Sequence, residues 1–137
     1  MQFNIVRNEK DSLCRLEVTR FSRGKTREEA GMYAKKIQYE VVQSDSVLIF
    51  SPILLMTYAE KFRAQQVRIT LKVPDQQKVY IDESMEPLLY DVDNVLEAWD
   101  HDMDGYTWIM KKNGLDCINC PPHIDNRHKF LDEETID

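Results

Sequence analysis

The sequence has no long hydrophobic run and no surplus of positive charge. No stretch approaches the roughly 18 apolar residues of a membrane span, and Ser51 and Pro52 interrupt the longest apolar run, from Val47 to Met56. The net charge is −6 and the pI is about 5.1. Because proteins that bind the phosphate backbone carry excess Lys and Arg, this composition argues against a nucleic-acid partner.

Cysteines and catalytic motifs are also scarce. Three cysteines make neither a disulfide framework nor a complete zinc finger. The sequence contains no Ser-His-Asp ordering, no glycine-rich phosphate loop and no H-E-x-x-H motif. We therefore predict that the chain is not an enzyme, that it needs no cofactor, and that it has no small-molecule substrate.

What remains is the composition of an ordinary globular domain. The 137 residues are 42% hydrophobic and 31% charged, which suffices for a real core. The first residues, MQFNIVRNEKD, lack the basic and apolar regions of a signal peptide. This leaves two alternatives: a cytosolic protein, or one domain of a longer, membrane-targeted protein.

The clearest structural signal lies between Gln66 and Asp82. Aliphatic residues that suit a pleated surface alternate there with polar residues. The aliphatic row comprises Val67, Ile69, Leu71 and Val73, and the polar row comprises Arg68, Thr70 and Lys72. Pro74 ends this strand because it donates no ladder hydrogen bond, and Val79 and Ile81 resume the alternation, with Tyr80 on the polar side. The pattern predicts short strands with an aliphatic inner face.

Similar patterns predict further strands and one helix. The predicted strands are Phe3–Arg7, Leu13–Phe21, Tyr39–Gln43, Val47–Phe50, Tyr106–Met110 and Leu115–Ile118. Thr26 and Glu29 have the spacing of a capping box, which predicts a helix over Arg27–Lys36. We expect an irregular segment over Pro52–Phe62, one domain over residues 1–120 and a loose polar tail over 121–137. Short strands with frequent turns fit a sandwich, a barrel or a β-solenoid.

Several stretches also occur in the order and spacing of a known family. They are SRGKTREEAGMYAKKIQYEV, SDSVLIF, FRAQQVRITLKVPDQQKVYIDESMEPLLYDVDNV and WDHDMDGYTWIMKKNGLDC, which cover most of residues 22–117. On these stretches the chain resembles the C-terminal extracytoplasmic region of membrane proteins that carry a phage-shock-protein C (PspC) domain. None of the stretches contains a catalytic motif. Asp75-Gln76 departs from the family because a glycine-bearing turn is expected there.

The resemblance implies an all-β fold, a single-stranded β-helix of the toast-rack type with one short α-helix. It also implies a membrane segment upstream of this chain, so that the domain is anchored to the inner membrane of the cell envelope and lies on the extracytoplasmic (periplasmic) side. The implied role is envelope-stress sensing or regulation through protein contacts, with no enzyme activity.

Two clusters of potential metal ligands give an alternative function, a metal-binding module. Asp100, Asp102 and Asp104 precede Gly105 as in the first half of a calcium loop, but Lys111 stands where a bidentate Glu is required. Cys117, Cys120, His123 and His128 could supply four zinc ligands at unusual spacing. The same cysteines could instead form a disulfide or remain as inert thiols. Nine acidic residues and no Lys or Arg lie between Asp82 and Met110, a surface that could attract a cation or a basic partner.

Basic and aromatic residues suggest two further surfaces. The basic residues near the predicted helix are Arg20, Arg23, Lys25, Arg27, Lys35 and Lys36. They form either an ordinary charged face or a face toward anionic lipid headgroups. Trp99, Tyr106 and Trp108 would suit a third function, a carbohydrate-binding or adhesin-like β-solenoid, although packing in the core is the simpler interpretation for aromatic residues on a strand.

The sequence thus favours contact with a protein partner over chemistry. The expected partner surface is the outer row of the central strands, with Arg68, Thr70, Lys72 and Tyr80 as its candidate residues. A strand that begins near residue one would form a bare sheet edge. We therefore also predict end-to-end self-association through Phe3–Val6.

Overall fold

The structure, a computed structural model, describes residues 1–51 and 64–128. Its strands are β1 (Gln2–Arg7), β2 (Arg15–Phe21), β3 (Val41–Ser44), β4 (Val47–Phe50), β5 (Gln66–Val73), β6 (Lys78–Tyr80), β7 (Thr107–Lys111) and β8 (Gly114–Cys117). The α-helix α1 covers Arg27–Lys35, and short 3-10 helices cover Glu83–Leu88, Asp100–Asp102 and Pro122–Ile124. The predicted all-β class with one short helix agrees with this arrangement.

The strands form three separate sheets. Their strand orders are β1-β5-β2, β3-β4 and β6-β7-β8. Within the described residues the three sheets are separate, and none closes on itself. No helix in residues 1–51 or 64–128 is long and apolar enough to cross a membrane.

The chain divides into two compact units. Unit 1 comprises Met1–Phe3 and Leu16–Thr70, and unit 2 comprises Asn4–Arg15 and Leu71–Asp137.

Unit 1 contains α1 and the β3–β4 hairpin. The Thr26 hydroxyl accepts a hydrogen bond from the Glu29 backbone N–H at 3.1 Å, so the predicted helix start is confirmed. The hairpin pairs Val41 with Phe50, and the Phe50 ring lies 4.9 Å from the ring of Phe3. The buried apolar side chains of this unit are Phe3, Ile37, Val67 and Ile69.

Unit 2 is built around Trp108. Strand β7 pairs antiparallel with β6 and β8, which places Val79 and Cys117 opposite Trp108. The indole is fully buried, and its Nε1 donates to the Met103 carbonyl at 3.0 Å. The predicted hairpin turn before β8 is confirmed, with Gly114 at a φ of 117° as the first residue of β8.

Strand β5 confirms the alternation of the central strand. Val67, Ile69, Leu71 and Val73 are all buried, whereas the intervening residues are exposed or half-buried. The turn after Pro74 contains a residue in the left-handed conformation that glycine favours, although no glycine is present. Gln76 itself takes the left-handed conformation, with a φ of 68°, and its N–H donates to the Met110 carbonyl at 2.7 Å.

Other predicted boundaries differ from the structure. Strand β2 begins at Arg15 rather than Leu13, because the Asn8 amide donates to the Leu13 carbonyl at 2.6 Å and Asp11 accepts from the Leu13 N–H at 3.1 Å. The tail expected from Pro121 is not loose throughout, since Ile124 is only 1% exposed. The irregular segment predicted at Pro52–Phe62 lies outside the described residues.

Candidate interaction surface

The outer face of β5 places an arginine beside an aromatic ring in unit 1. The Arg68 guanidinium carbon lies 4.9 Å from the centroid of the Phe21 ring on β2. Its Nε donates to Gln2 Oε1 on β1 at 3.2 Å. Arg68 and Phe21 are both exposed. We call Gln2, Phe21 and Arg68 the Arg68 cluster.

The chemistry of this cluster suits protein recognition. A cationic side chain that lies over an aromatic ring is already restricted in conformation, so it loses little further freedom when a partner protein binds. Arginine and aromatic side chains are the groups that most often dominate binding energy at protein interfaces. The Nη groups of Arg68 and the Nε2 group of Gln2 are suited to donate hydrogen bonds to a partner.

The remaining predicted partner residues are less favourably placed. Thr70 and Lys72 share the outer row of β5 with Arg68, but both are half-buried. Tyr80 is 57% exposed, yet it belongs to β6 in a different sheet, where it pairs with Thr107. The structure therefore brings Arg68 together with Gln2 and Phe21.

Two members of the basic set near α1 have partners within the fold. Arg20 Nη1 donates to the Ile37 carbonyl just beyond the helix end at 3.1 Å. Lys36 Nζ lies 5.8 Å from the centroid of the Tyr33 ring. Arg23, Lys25, Arg27 and Lys35 are exposed. Arg20 and Lys36 are exposed as well, so their contacts within the fold do not remove them from the set that could face an anionic surface.

The acidic stretch partly serves to cap loops. Both carboxylate oxygens of Asp100 accept backbone N–H groups, from Asp91 at 2.8 Å and from Val92 at 2.9 Å. Hydrogen bonds from the Ser84 hydroxyl and backbone N–H lower the pKa of Asp82. Such bonds favour the charged form of a carboxylate without any metal.

The predicted metal ligands are not gathered into a site. Within residues 1–51 and 64–128, no group of three or more His, Cys, Asp or Glu residues could hold a metal ion. Asp100 is committed to the backbone as above, and Asp102 lies 3.7 Å from His101 Nε2. Cys117 and Cys120 form a disulfide, so neither offers the thiolate that zinc binds.

The aromatic residues divide between core and surface. Trp108 belongs to the core, whereas Trp99 and Tyr90 are 56% and 49% exposed. A surface depression in unit 2 is lined by Asp75, Gln76, Val95, Lys111, Lys112, Asn113 and Asp116, with no aromatic side chain among them. This depression therefore lacks the stacking surface that a carbohydrate site requires.

Asn94 organises the same region without having been predicted. Its Oδ1 accepts from the Ala98 N–H at 2.8 Å, and its Nδ2 donates to the carbonyls of Val92 and Ala98, each at 3.1 Å. A side-chain amide can replace backbone pairing in a loop in this manner. The available sequence signal is the pair Asp93-Asn94, two residue types that are typical of turns.

Comparison with known proteins adds one match. A protein-family model described as a ToastRack domain found in some PspC proteins matches residues 1–123. No curated protein and no solved structure matches the chain.

Proposed function

Since the chain belongs to the family of toast-rack domains found in some PspC proteins, we propose that it is a non-catalytic regulatory domain of an envelope-stress membrane protein. It acts by binding a protein partner. The single observation that supports this role most directly is the Arg68 cluster. Exposed Arg68 and Phe21 form a partly preordered contact of the kind that anchors protein interfaces.

The proposal also has a cellular and an architectural part. The domain lies outside the inner membrane and is anchored there by a segment upstream of this chain. The three sheets are part of the single-stranded β-helix arrangement of the family. Both statements rest on the family membership.

End-to-end self-association would be a second protein–protein contact of this domain. Within the described residues strand β1 lies at one edge of the order β1-β5-β2, and pairing at this edge would displace the hydrogen bond that the Ile5 N–H donates to Asn4 Oδ1 at 2.8 Å. The side chains of Phe3 and Ile5 are only 3% and 2% exposed. Association through β1 would therefore use backbone hydrogen bonds rather than these apolar side chains.

The partner role can be tested by site-specific photocrosslinking in the full-length protein within its membrane. A photoreactive phenylalanine analogue replaces Phe21 in one variant and Tyr90, which is also exposed, in a matched control variant. The proposal predicts a discrete protein adduct from position 21 and none from position 90. An added Arg68→Glu substitution should abolish the adduct, because it reverses the charge at the centre of the cluster.

Two results would contradict the proposal. One is the absence of any protein adduct from position 21, with and without envelope stress. The other is an adduct that survives Arg68→Glu unchanged, since the Arg68 cluster would then not be the contact.

A further inference from the structure

We propose that Cys117 and Cys120 form a thiol–disulfide exchange site that takes a dithiol partner, and that its reduction releases the segment that follows. The two cysteines are disulfide-bonded across three positions, with Cα atoms 5.8 Å apart. Cys117 is the last residue of β8, and Cys120 begins the segment that leaves the sheet. We call Pro121–Asn126 the strap.

The disulfide is one of several attachments of the strap to unit 2. The side chain of Ile124 is 1% exposed. Asn126 provides another attachment: its N–H donates to the Leu96 carbonyl at 2.9 Å and its Nδ2 donates to the Glu97 carbonyl at 3.1 Å. The strap in turn holds the loop at Glu97, whose φ is 53°. Loss of the disulfide leaves the strap with noncovalent attachments alone.

The residues between the cysteines are attached independently of the disulfide. The Ile118 N–H donates to the Thr107 carbonyl, and Asn119 Oδ1 accepts from the Thr107 N–H, both at 2.9 Å. These bonds extend the β7–β8 pairing past Cys117. Reduction should therefore free the strap while the sheet itself stays intact.

The position of the disulfide indicates a local role rather than a large contribution to the stability of the whole fold. A cross-link stabilises a fold mainly by closing a loop in the unfolded chain, and this effect is smallest for short loops. Here the closed loop spans a sequence separation of only three. Both cysteines are half-buried rather than enclosed, and Ile118 between them is 51% exposed. An approaching thiolate can therefore reach the site from the loop side.

The exchange balances with a dithiol as the reductant. One thiolate of the dithiol attacks a sulfur of the disulfide, the S–S bond breaks, and the other cysteine leaves as a thiolate that takes up a proton. The second thiol of the dithiol then displaces the first cysteine and closes its own disulfide. The products are two cysteine thiols in this chain and one oxidised dithiol.

Amide hydrogen exchange with and without dithiothreitol tests the proposal under native conditions. Thiol labelling first follows the reduction, because Cys14 is an exposed free cysteine and serves as an internal standard. One label is expected before reduction and three after it. On reduction, exchange at Asn126, whose N–H donates to the Leu96 carbonyl, should accelerate about tenfold or more. Exchange at Met110 and Val95 should not change, since their N–H groups donate to Gln77 and Leu115.

A double variant, Cys117→Ser with Cys120→Ser, provides the matched control. Its strap amides should exchange as fast as those of the reduced parent, and dithiothreitol should change nothing further. A Cys14→Ser background excludes intermolecular disulfides as a cause. The proposal is overturned if the disulfide resists native reduction, if reduction leaves strap exchange unchanged, or if Met110 and Val95 accelerate equally. None of these results depends on whether the Arg68 cluster binds a partner.

Discussion

The two units of the chain differ in charge and in packing. Unit 1 has nine basic and six acidic residues, whereas unit 2 has nine basic and eighteen acidic residues. Among the described residues, unit 1 contributes four of the buried apolar side chains and unit 2 contributes twelve, a ratio larger than that of their described lengths. Helix α1 in unit 1 contains no buried residue.

This difference suggests that unit 2 contributes most of the stability and that unit 1 is better suited to recognition of a partner. Burial of apolar surface is the main stabilising contribution to folding, so unit 2 should supply most of it. Unit 1 exposes large apolar side chains on several elements, including Phe21 on β2, Met32 on α1 and Ile49 on β4. Exposed apolar side chains beside basic ones are better suited to binding than to folding. The proposed partner contact at Arg68 lies in the less densely packed unit.

The largest expected effect comes from the core of unit 2. Trp108→Ala should lower the free energy of unfolding by about 3–5 kcal/mol, because it leaves a large cavity and orphans the Met103 carbonyl. Urea denaturation followed by circular dichroism measures the change. Trp99→Ala is the matched control, since Trp99 is 56% exposed, and it should cost less than about 1 kcal/mol. If both substitutions lowered the free energy of unfolding equally, the core of unit 2 around Trp108 would not be the main source of stability.

Two glycines of unit 1 should respond to the same substitution with opposite signs. A Cβ at Gly24 would lie 2.5 Å from the Ala30 backbone N, so Gly24→Ala should destabilise the protein by about 2 kcal/mol. A Cβ at Gly31 meets no heavy atom within 4 Å, so Gly31→Ala should stabilise helix α1 by up to about 1 kcal/mol. Thermal denaturation of both variants measures the signs. A stabilising Gly24→Ala would show that the approach of this loop to α1 is not a constraint in unit 1.

Local patterns predicted the regular elements of both units. The alternation in β5 and the capping pair Thr26 and Glu29 each depend on neighbours within a few residues, so the sequence displays them directly. The stretch from Asp82 to Tyr106 was not predictable in this way. Its 3-10 helices and loops are held by backbone N–H groups that donate to the side chains of Asp82, Asn94 and Asp100. Such bonds produce no periodic pattern in the sequence.

The candidate surface was predictable only in part, for a related reason. Alternation along β5 predicts that Arg68 points outward, and the structure confirms this. The contact of Arg68 with Phe21 and Gln2 requires the strand order β1-β5-β2, in which the first and second strands flank the fifth. Pairing between strands so distant in the sequence depends on the whole fold, and a single sequence does not display it.

The smallest expected effect is a shift in the pKa of single carboxyl groups in unit 2, which tests how arginine side chains compensate the negative charge of this unit. Arg127 donates to both carboxylate oxygens of Asp125, from Nε at 2.9 Å and from Nη2 at 2.7 Å. These bonds, with one from the Arg127 backbone N–H, lower the pKa of Asp125 to about 2. Arg15 and the Leu13 N–H similarly lower the pKa of Asp11 to about 2.

A carboxyl pKa that is lower in the folded state than in the unfolded chain fixes the direction in which stability changes with pH. The folded protein favours the charged carboxylate, so the stabilisation is complete above the ordinary pKa of 3.8 and disappears as the pH falls through about 2. Arg127→Gln should return the pKa of Asp125 toward 3.8 and leave that of Asp11 unchanged, and Arg15→Gln should do the reverse. Carboxyl-carbon NMR titration resolves the two residues separately. If Asp125 titrates near 3.8 in the parent protein, its pairing with Arg127 does not persist in solution, and the acidic unit has lost one of its local means of compensating charge.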